Sequence, residues 1–462
     1  MDDVFGAAAL EELLSDAARR ASRYLSGLAD RAVAPDPAAL AALDRFAEPL
    51  PDGPSDPSGT LALLDEAGSP ATVASAGPRY FGFVTGGTLP AALAAGRLAA
   101  AWDQNAALPV MSPVAARLHE VTRAWLVELL GLPEGTAAAF VTGATEANTA
   151  ALAAARDHLL AARGWDVPVR GLFGAPPLTV VLGERAHSTI GKALATLGLG
   201  RDRVHRVPAD EQGRMLPDRL PDVDGPVLVC AQAGEVNTGA CDPLGRIADW
   251  TRERGGWLHV DGAFGLWAMA APGRRHLLEG AQRADSWATD AHKWLNVAYD
   301  GGVVLVRDAA DLRRSFGSTA GYLPPDDGFE AMHHTPQSSQ RARWIEVWAV
   351  LRSLGRSGVA ELVEGCCRRA ARIAGALERG GLRVVNDVVL NQALVVAPSG
   401  ADATRRMIAA VQRDGTCWCG PGTWAGGTAM RVSVSGWATT DDDADRSAQA
   451  ILRCARAVGA LG

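Results

Sequence analysis

Lysine is almost missing from this chain. Of 45 basic residues only Lys192 and Lys293 are lysines, so arginine carries nearly all the positive charge. Arginine stays protonated and cannot serve as an amine nucleophile, whereas lysine can, which makes a surviving lysine a candidate for chemistry. Metal-type cysteine spacing is missing as well. The seven cysteines (Cys230, Cys241, Cys366, Cys367, Cys417, Cys419, Cys454) are odd in number and none forms a C-x-x-C pair, so they read as reduced thiols. Cys417 and Cys419 fit a buried strand better than a metal site, and no metal is expected. There is no basic run, and 52 acidic residues against 45 basic ones give a net charge of −7, which argues against an electrostatic grip on nucleic acid or an anionic membrane. Nor is there a stretch of about 18 uncharged apolar residues of the kind that spans a bilayer. Met1, Asp2, Asp3, Glu11 and Glu12 stand where a signal peptide would be basic. A cytoplasmic protein working on small molecules is expected.

What is present is enough apolar sequence to build large cores: 462 residues, 48% apolar and 21% charged. At about 100–200 residues per domain, two or three domains are expected. Residues 1–75 read as helices broken by Pro35, Pro37, Pro51, Pro54 and Pro57, with an amphipathic stretch from Ala7 to Ala32. Residues 76–345 alternate short apolar runs (138–142, 179–182, 227–230, 257–260, 302–306) with alanine-rich helical stretches, the pattern of a large α/β domain with a mostly parallel sheet. Such sheets bind ligands at the carboxyl ends of their strands. Residues 346–462 begin with a long helix pattern, pass through strand-like runs at Val384–Ala397 and Met430–Ser435, and end in a helix after Thr440, which predicts a small α+β domain.

Three constellations carry chemistry. Phe140-Val-Thr-Gly-Ala-Thr-Glu-Ala-Asn148 runs from a strand into a small-residue turn and then a helix, and such a helix start is a phosphate seat. A dinucleotide fingerprint is excluded because Glu146 and Asn148 stand where its later glycines belong. His259-Val-Asp261-Gly-Ala263 sets a carboxylate just past an apolar strand, where it can hold a ring nitrogen or cap a helix. Ser286-Trp-Ala-Thr-Asp-Ala-His-Lys293-Trp-Leu-Asn296 sets one of the two lysines after a strand-like run, flanked by His292 and Trp294. Packed among aromatic groups away from water, its amine would be a nucleophile toward a carbonyl. Lys192, in Ser188–Leu197, reads as a solvated helix face. Phosphate turn, strand-end acid and buried lysine together form the set that pyridoxal phosphate requires.

These residues resemble the pyridoxal-phosphate-dependent group II amino acid decarboxylases. The resemblance rests on Pro78-Arg-Tyr-Phe-Gly-Phe-Val84, Thr142-Gly-Ala-Thr-Glu-Ala-Asn148, Ala186-His-Ser188, His259-Val-Asp261, His292-Lys-Trp294 and Arg341-Ala-Arg-Trp344, and runs from about residue 76 to the end. It implies the aspartate aminotransferase-like fold (fold type I), with a large α/β domain, a small carboxyl-terminal domain and an active site shared across a homodimer. It implies Lys293 as the Schiff-base lysine, Asp261 on the pyridine nitrogen, His187 stacked on the ring, Ala263 against the ring, Gly143, Ala144 and Thr145 around the phosphate, and His292 beside the lysine. Tyr322, in the Gly- and Pro-rich segment Gly317–Asp327, resembles the tyrosine that reprotonates the substrate carbon, and aldehyde-forming relatives usually carry phenylalanine there. The expected reaction is therefore decarboxylation of an L-amino acid to its amine. A transaminase, aldolase or aldehyde synthase reaction is the alternative. Tyr80, Phe81, Phe83 and Trp102 suggest an aromatic or bulky apolar substrate, while Arg79 would suit an acidic one, and Arg431 is expected near the substrate carboxylate. Two departures stand out. Asp290 replaces an asparagine near the phosphate, and Glu235-Val236 replaces a Thr-Thr pair behind the aspartate.

Overall fold

The computed structural model describes residues 7–318 and 330–461. Its larger sheet holds seven strands: β1 (Ala137–Val141), β2 (Thr179–Gly183), β3 (His205–Val207), β4 (Val227–Gln232), β5 (Trp257–Asp261), β6 (Ser286–Asp290) and β7 (Gly302–Val306). They lie in the order β1-β7-β6-β5-β4-β2-β3. The pairs β2–β3, β2–β4, β4–β5 and β5–β6 are parallel, and β7 runs antiparallel to both β1 and β6. The five apolar runs read from the sequence between residues 138 and 306 all lie in this sheet. Alternate side chains feed two separate cores. Ala138, Phe140, Val229, Val260 and Trp287 enter one, while Ala139, Val141, Leu228, Trp257 and Ala288 enter the other. A strand buried on both faces needs apolar residues at every position, which is why these runs show no polar alternation.

The helix Ala144–Ala161 covers one face with Ala147, Ala150, Ala151, Ala154 and Ala155, all fully buried. Small side chains let this helix lie close to the sheet. At its start the approach is tightest, since a Cβ on Gly302 would come within 2.5 Å of the Gly143 Cα. No residue but glycine fits there.

The second sheet is antiparallel, with β8 (Arg383–Val384), β9 (Gln392–Val396), β10 (Gly420–Trp424) and β11 (Gly427–Ser433) in the order β10-β11-β9-β8. The expected run Val384–Ala397 is divided in two. Asn386 interrupts it by accepting from the Leu394 N–H at 2.8 Å and donating to the carbonyls of Gln392 and Thr238. The composition Gly-Pro-Gly-Thr-Trp gave no hint of β10. It is tolerated because β10 is an edge strand, where Pro421 needs no donor, and because Ala425 and Gly426 turn the chain with positive φ of 46° and 76°. The long helix Trp344–Arg379, broken at Gly355, packs against the helices Pro90–Trp102 and Asp441–Ala457. Thr440 and Asp443 close a reciprocal cap at the start of the last helix. Among the described residues no helix is long and apolar enough to cross a membrane. All seven cysteines are buried and unpaired with one another.

One side chain ties three segments at the site. Asn296, fully buried, accepts the N–H groups of Gly87 at 2.7 Å and Trp437 at 3.0 Å, and donates to the carbonyls of Trp294 at 2.8 Å and Ser435 at 2.9 Å. Removing it strands three buried backbone groups and one part-buried one. Asn296→Ala is expected to lower unfolding free energy by about 2–4 kcal/mol, measured by urea denaturation. A loss under ~1 kcal/mol would show that water replaces these bonds.

Candidate active site

A cavity of about 560 Å³ opens at the carboxyl ends of β5 and β6, beside the start of the helix Ala144–Ala161. Lys293, Asp261, His187, Asp290, His292 and Arg431 supply its charged and titratable groups. This is the edge at which a parallel sheet presents ligands.

Asp261 ends β5 and is 5% exposed. It accepts the Ala263 N–H at 3.3 Å, and among the described residues no cation lies in ion-pair range. Burial raises its carboxyl above the usual carboxylate range, with the neighbouring His187 and Lys293 pulling the other way. His187 caps the helix Ser188–Thr196, and its Nδ1 lies 2.8 Å from the Thr189 hydroxyl. Burial lowers its pKa, so the imidazole is held neutral at pH 7.

The helix start supplies Gly143, Ala144 and Thr145 to the cavity wall. The first N–H groups of a helix have no intrahelical acceptor. Asp290 Oδ1 accepts the Ala144 N–H at 2.5 Å. Glu146 instead turns back to accept the N–H of Thr142 at 3.0 Å and its hydroxyl at 2.8 Å, fixing the turn.

Lys293 lies past the end of β6 with its Nζ 2.9 Å from Asp290 Oδ2. The expected packing of the amine among aromatic rings is not what is found. Trp294 points into the core against Phe264, and the amine reaches a carboxylate instead. His292 lies beside the lysine as expected, stacked on Tyr299 with ring centroids 4.2 Å apart. The lysine backbone is fixed from behind, since any Cβ on Gly86 would collide with the Lys293 carbonyl. Lys192 is exposed on its helix.

Ala263 lines the cavity. On the substrate side Phe83, Val84, Val236, Phe264 and Tyr299 form apolar walls, and Arg431 donates to the Val236 carbonyl at 3.2 Å. Tyr80 stacks on Trp418 and stands behind the wall. Phe81 is fully buried in the core and Trp102 is exposed at a helix end, so neither lines the cavity of this chain. Arg79 is buried in an ion pair with Asp443 at 3.1 Å and cannot meet a substrate. Glu235 is spent on its own turn, accepting the N–H groups of Asn237 at 2.7 Å and Thr238 at 2.8 Å. Tyr322 lies outside the described residues. Sequence reasoning missed Tyr299, Gly86 and Asn296. An aromatic residue closely following the lysine was the one available cue to Tyr299.

The donor set fits pyridoxal phosphate. A buried carboxylate with no cation of its own suits a protonated ring nitrogen, a lysine amine opens onto the same cavity, and a helix start pressed against Gly302 brings backbone N–H groups, that of Ala144 held by Asp290, to where a phosphate would lie. Sheet order and site together define an α/β protein of fold type I. The model of the pyridoxal-dependent decarboxylase conserved domain matches residues 69–391, and the chain belongs to that family. It is 34% identical to cysteine sulfinic acid decarboxylase of Rattus norvegicus over 296 residues, 61% of this chain and 59% of that protein. It is 29% identical to tryptophan decarboxylase 1 of Oryza sativa subsp. japonica over 362 residues, 73% of this chain and 70% of that protein. The match thus spans about three-fifths of the length of the first of these relatives. The crystal structure of Oryza sativa TDC with PLP and tryptamine superposes with a TM-score of 0.91 at 22% identity, covering 98% of this chain and 99% of that one, which establishes the fold.

Because Asp261 resists ionisation in the fold, its charge works against the cofactor-free protein. At acid pH, below the ordinary carboxylate pKa, both folded and unfolded states are protonated and aspartate behaves like asparagine. As pH rises, the unfolded chain ionises first and the native state loses ground. Cofactor-free Asp261→Asn is therefore expected to be more stable than wild type at pH 7, by about 1–3 kcal/mol, with the difference vanishing toward pH 3. Thermal melts across pH test this, and a destabilised variant at pH 7 would refute it.

Proposed function

We propose that the protein releases carbon dioxide from an L-amino acid with an aromatic or bulky apolar side chain, leaving the amine, with pyridoxal 5′-phosphate joined to Lys293. One observation carries this reading: Lys293 and Asp261 open onto the same cavity from adjacent strand ends. When bound, the cofactor supplies an electron sink for the bond that breaks. Asp261 holds the proton on the ring nitrogen and keeps the ring cationic. His187, neutral through burial, offers an aromatic face, and Ala263 leaves room beside it. The N–H groups of Gly143, Ala144 and Thr145 hold the phosphate, and His292 braces the lysine loop. Arg431 is proposed to orient the substrate carboxylate, supported by its place in the wall. Tyr322 is proposed to return a proton to the substrate carbon.

The choice of substrate rests on wall charge. Among the described residues, Lys293 and Arg431 are the cavity's lysine and arginine, so a carboxylate on the substrate side chain would lack a partner once Arg431 is engaged. The rat relative named for an acidic substrate supports the opposite choice, and the two are separable. We also propose a cytoplasmic homodimer with a shared active site. Its support is that Phe83 and Tyr299, each 63% exposed at the cavity wall, offer apolar surface to a second subunit. The domain boundaries 1–75, 76–345 and 346–462 are proposed on the same reading.

Borohydride with pyridoxal phosphate is expected to label the wild-type chain and leave Lys293→Ala unlabelled. Carbon dioxide release is expected from tryptophan, tyrosine or phenylalanine in preference to glutamate, aspartate or cysteine sulfinate, and release from the acidic group alone would overturn the substrate class. With dioxygen as oxidant, Tyr322→Phe is expected to divert product from amine toward aldehyde with release of ammonia and hydrogen peroxide, read by mass spectrometry and a peroxide assay. Unchanged amine yield would remove Tyr322 from that role.

A further inference from the structure

The anion seat at the start of the helix Ala144–Ala161 is already filled by an anion from the chain itself. Asp290, 2% exposed, ends β6 with Oδ1 on the Ala144 N–H at 2.5 Å and Oδ2 on Lys293 Nζ at 2.9 Å. His292 Nε2 stands 3.5 Å from Oδ1, and a Cβ built on Gly143 would lie 3.4 Å from that oxygen. The charged and titratable groups facing it are few. The loop after β6 contributes His292 and Lys293, and β5 contributes Asp261. The helix start contributes none, since Glu146 is turned back onto Thr142, and β7, which begins at Gly302, contributes none. The Trp267 indole reaches only the Asp290 main-chain carbonyl. A phosphate brought to the Ala144 N–H must take the place of this carboxylate or lie against it, and two anions at such separation in a buried site repel strongly unless one takes up a proton.

We propose that Asp290 is a built-in stand-in for the cofactor phosphate. In the cofactor-free protein its carboxylate caps the helix and pairs with Lys293; when the phosphate docks it yields the Ala144 N–H, so that cofactor capture carries the cost of displacing an internal anion. This rests on the reading of the cavity as a pyridoxal phosphate site. Asp290 thereby sets the affinity for the phosphate end of the cofactor. Asparagine at this position keeps the size and an acceptor for Ala144 while removing the charge.

The test is equilibrium titration of cofactor-free protein with pyridoxal 5′-phosphate and, separately, with pyridoxal, followed by absorbance between pH 6.5 and 8.5. Asp290→Asn is expected to bind pyridoxal phosphate about tenfold tighter or more at pH 8. Pyridoxal affinity should differ between the two proteins by less than about threefold. The same ordering for pyridoxal phosphate is expected in a Lys293→Ala background, where the lysine pairing is gone from both. Equal or weaker binding of pyridoxal phosphate by Asp290→Asn would overturn the proposal, and so would an equal gain for pyridoxal, which would place the effect on Lys293. If both proteins bind pyridoxal phosphate alike, the stand-in role fails while the cavity's assignment stands. If neither binds, the assignment falls and the stand-in role with it.

Discussion

A carboxylate buried at a strand end with no cation of its own is the constraint that organises this site. An unpaired charge of that kind is costly, and a protein selected for stability alone would pair it or replace it. Arginine is plentiful here, yet among the described residues none reaches Asp261. The cavity in front of it would suit a cationic ring nitrogen. Filling it relieves the strain on the native state, so cofactor binding and folding stability are linked by mass action. Function is stored in the native fold as a local loss of stability.

Around that acid the geometry is set by backbone rather than by side-chain packing. Gly302 passes Gly143 too closely for any Cβ, and Gly86 does the same to the Lys293 carbonyl. Asn296 then binds the 80s loop, the lysine loop and the segment before the last helix through four hydrogen bonds, three of them buried. Such contacts tolerate almost no displacement, which holds reacting groups in place before any ligand arrives. Asp300 extends the same frame outward by pairing with Arg343 at 2.9 Å, anchoring the loop that carries Tyr299.

The sequence was legible where local rules and tertiary outcome agree. Buried parallel strands must be continuously apolar, so the runs of the large sheet stood out, and a strand-to-helix turn of Gly143, Ala144 and Thr145 announced an anion seat. It was illegible where a residue's meaning depends on distant partners. Arg79 reads as a substrate cation until Asp443, far along the chain, is seen to claim it. Phe81 and Phe83 are near neighbours in one motif, yet one is core and the other wall. Strand β10 was hidden because Gly-Pro-Gly has no strand propensity of its own and is held in place by β11. The lysine was recognised by its rarity, but its carboxylate partner was visible only in three dimensions, although Asp290 sits one helical turn's distance away in sequence.

The charges along the cavity form a gradient with a chemical direction. At the helix start, Asp290 pairs with Lys293; deeper in, Asp261 lies near His187 and Lys293 without an ion pair to either; on the far wall, Arg431 is left with a backbone carbonyl and the field of the already engaged Glu235. Burial works against the Arg431 charge, so the guanidinium gains most from a partner that brings a negative charge and no water. On the proposed reading, the substrate carboxylate would satisfy it. Beyond Arg431 the walls are Phe83, Val236 and Tyr299, which reward apolar area and give a second carboxylate nothing to pair with. On the proposed reading, that asymmetry would draw the charged end of an amino acid toward Arg431 and its side chain toward the aromatic wall.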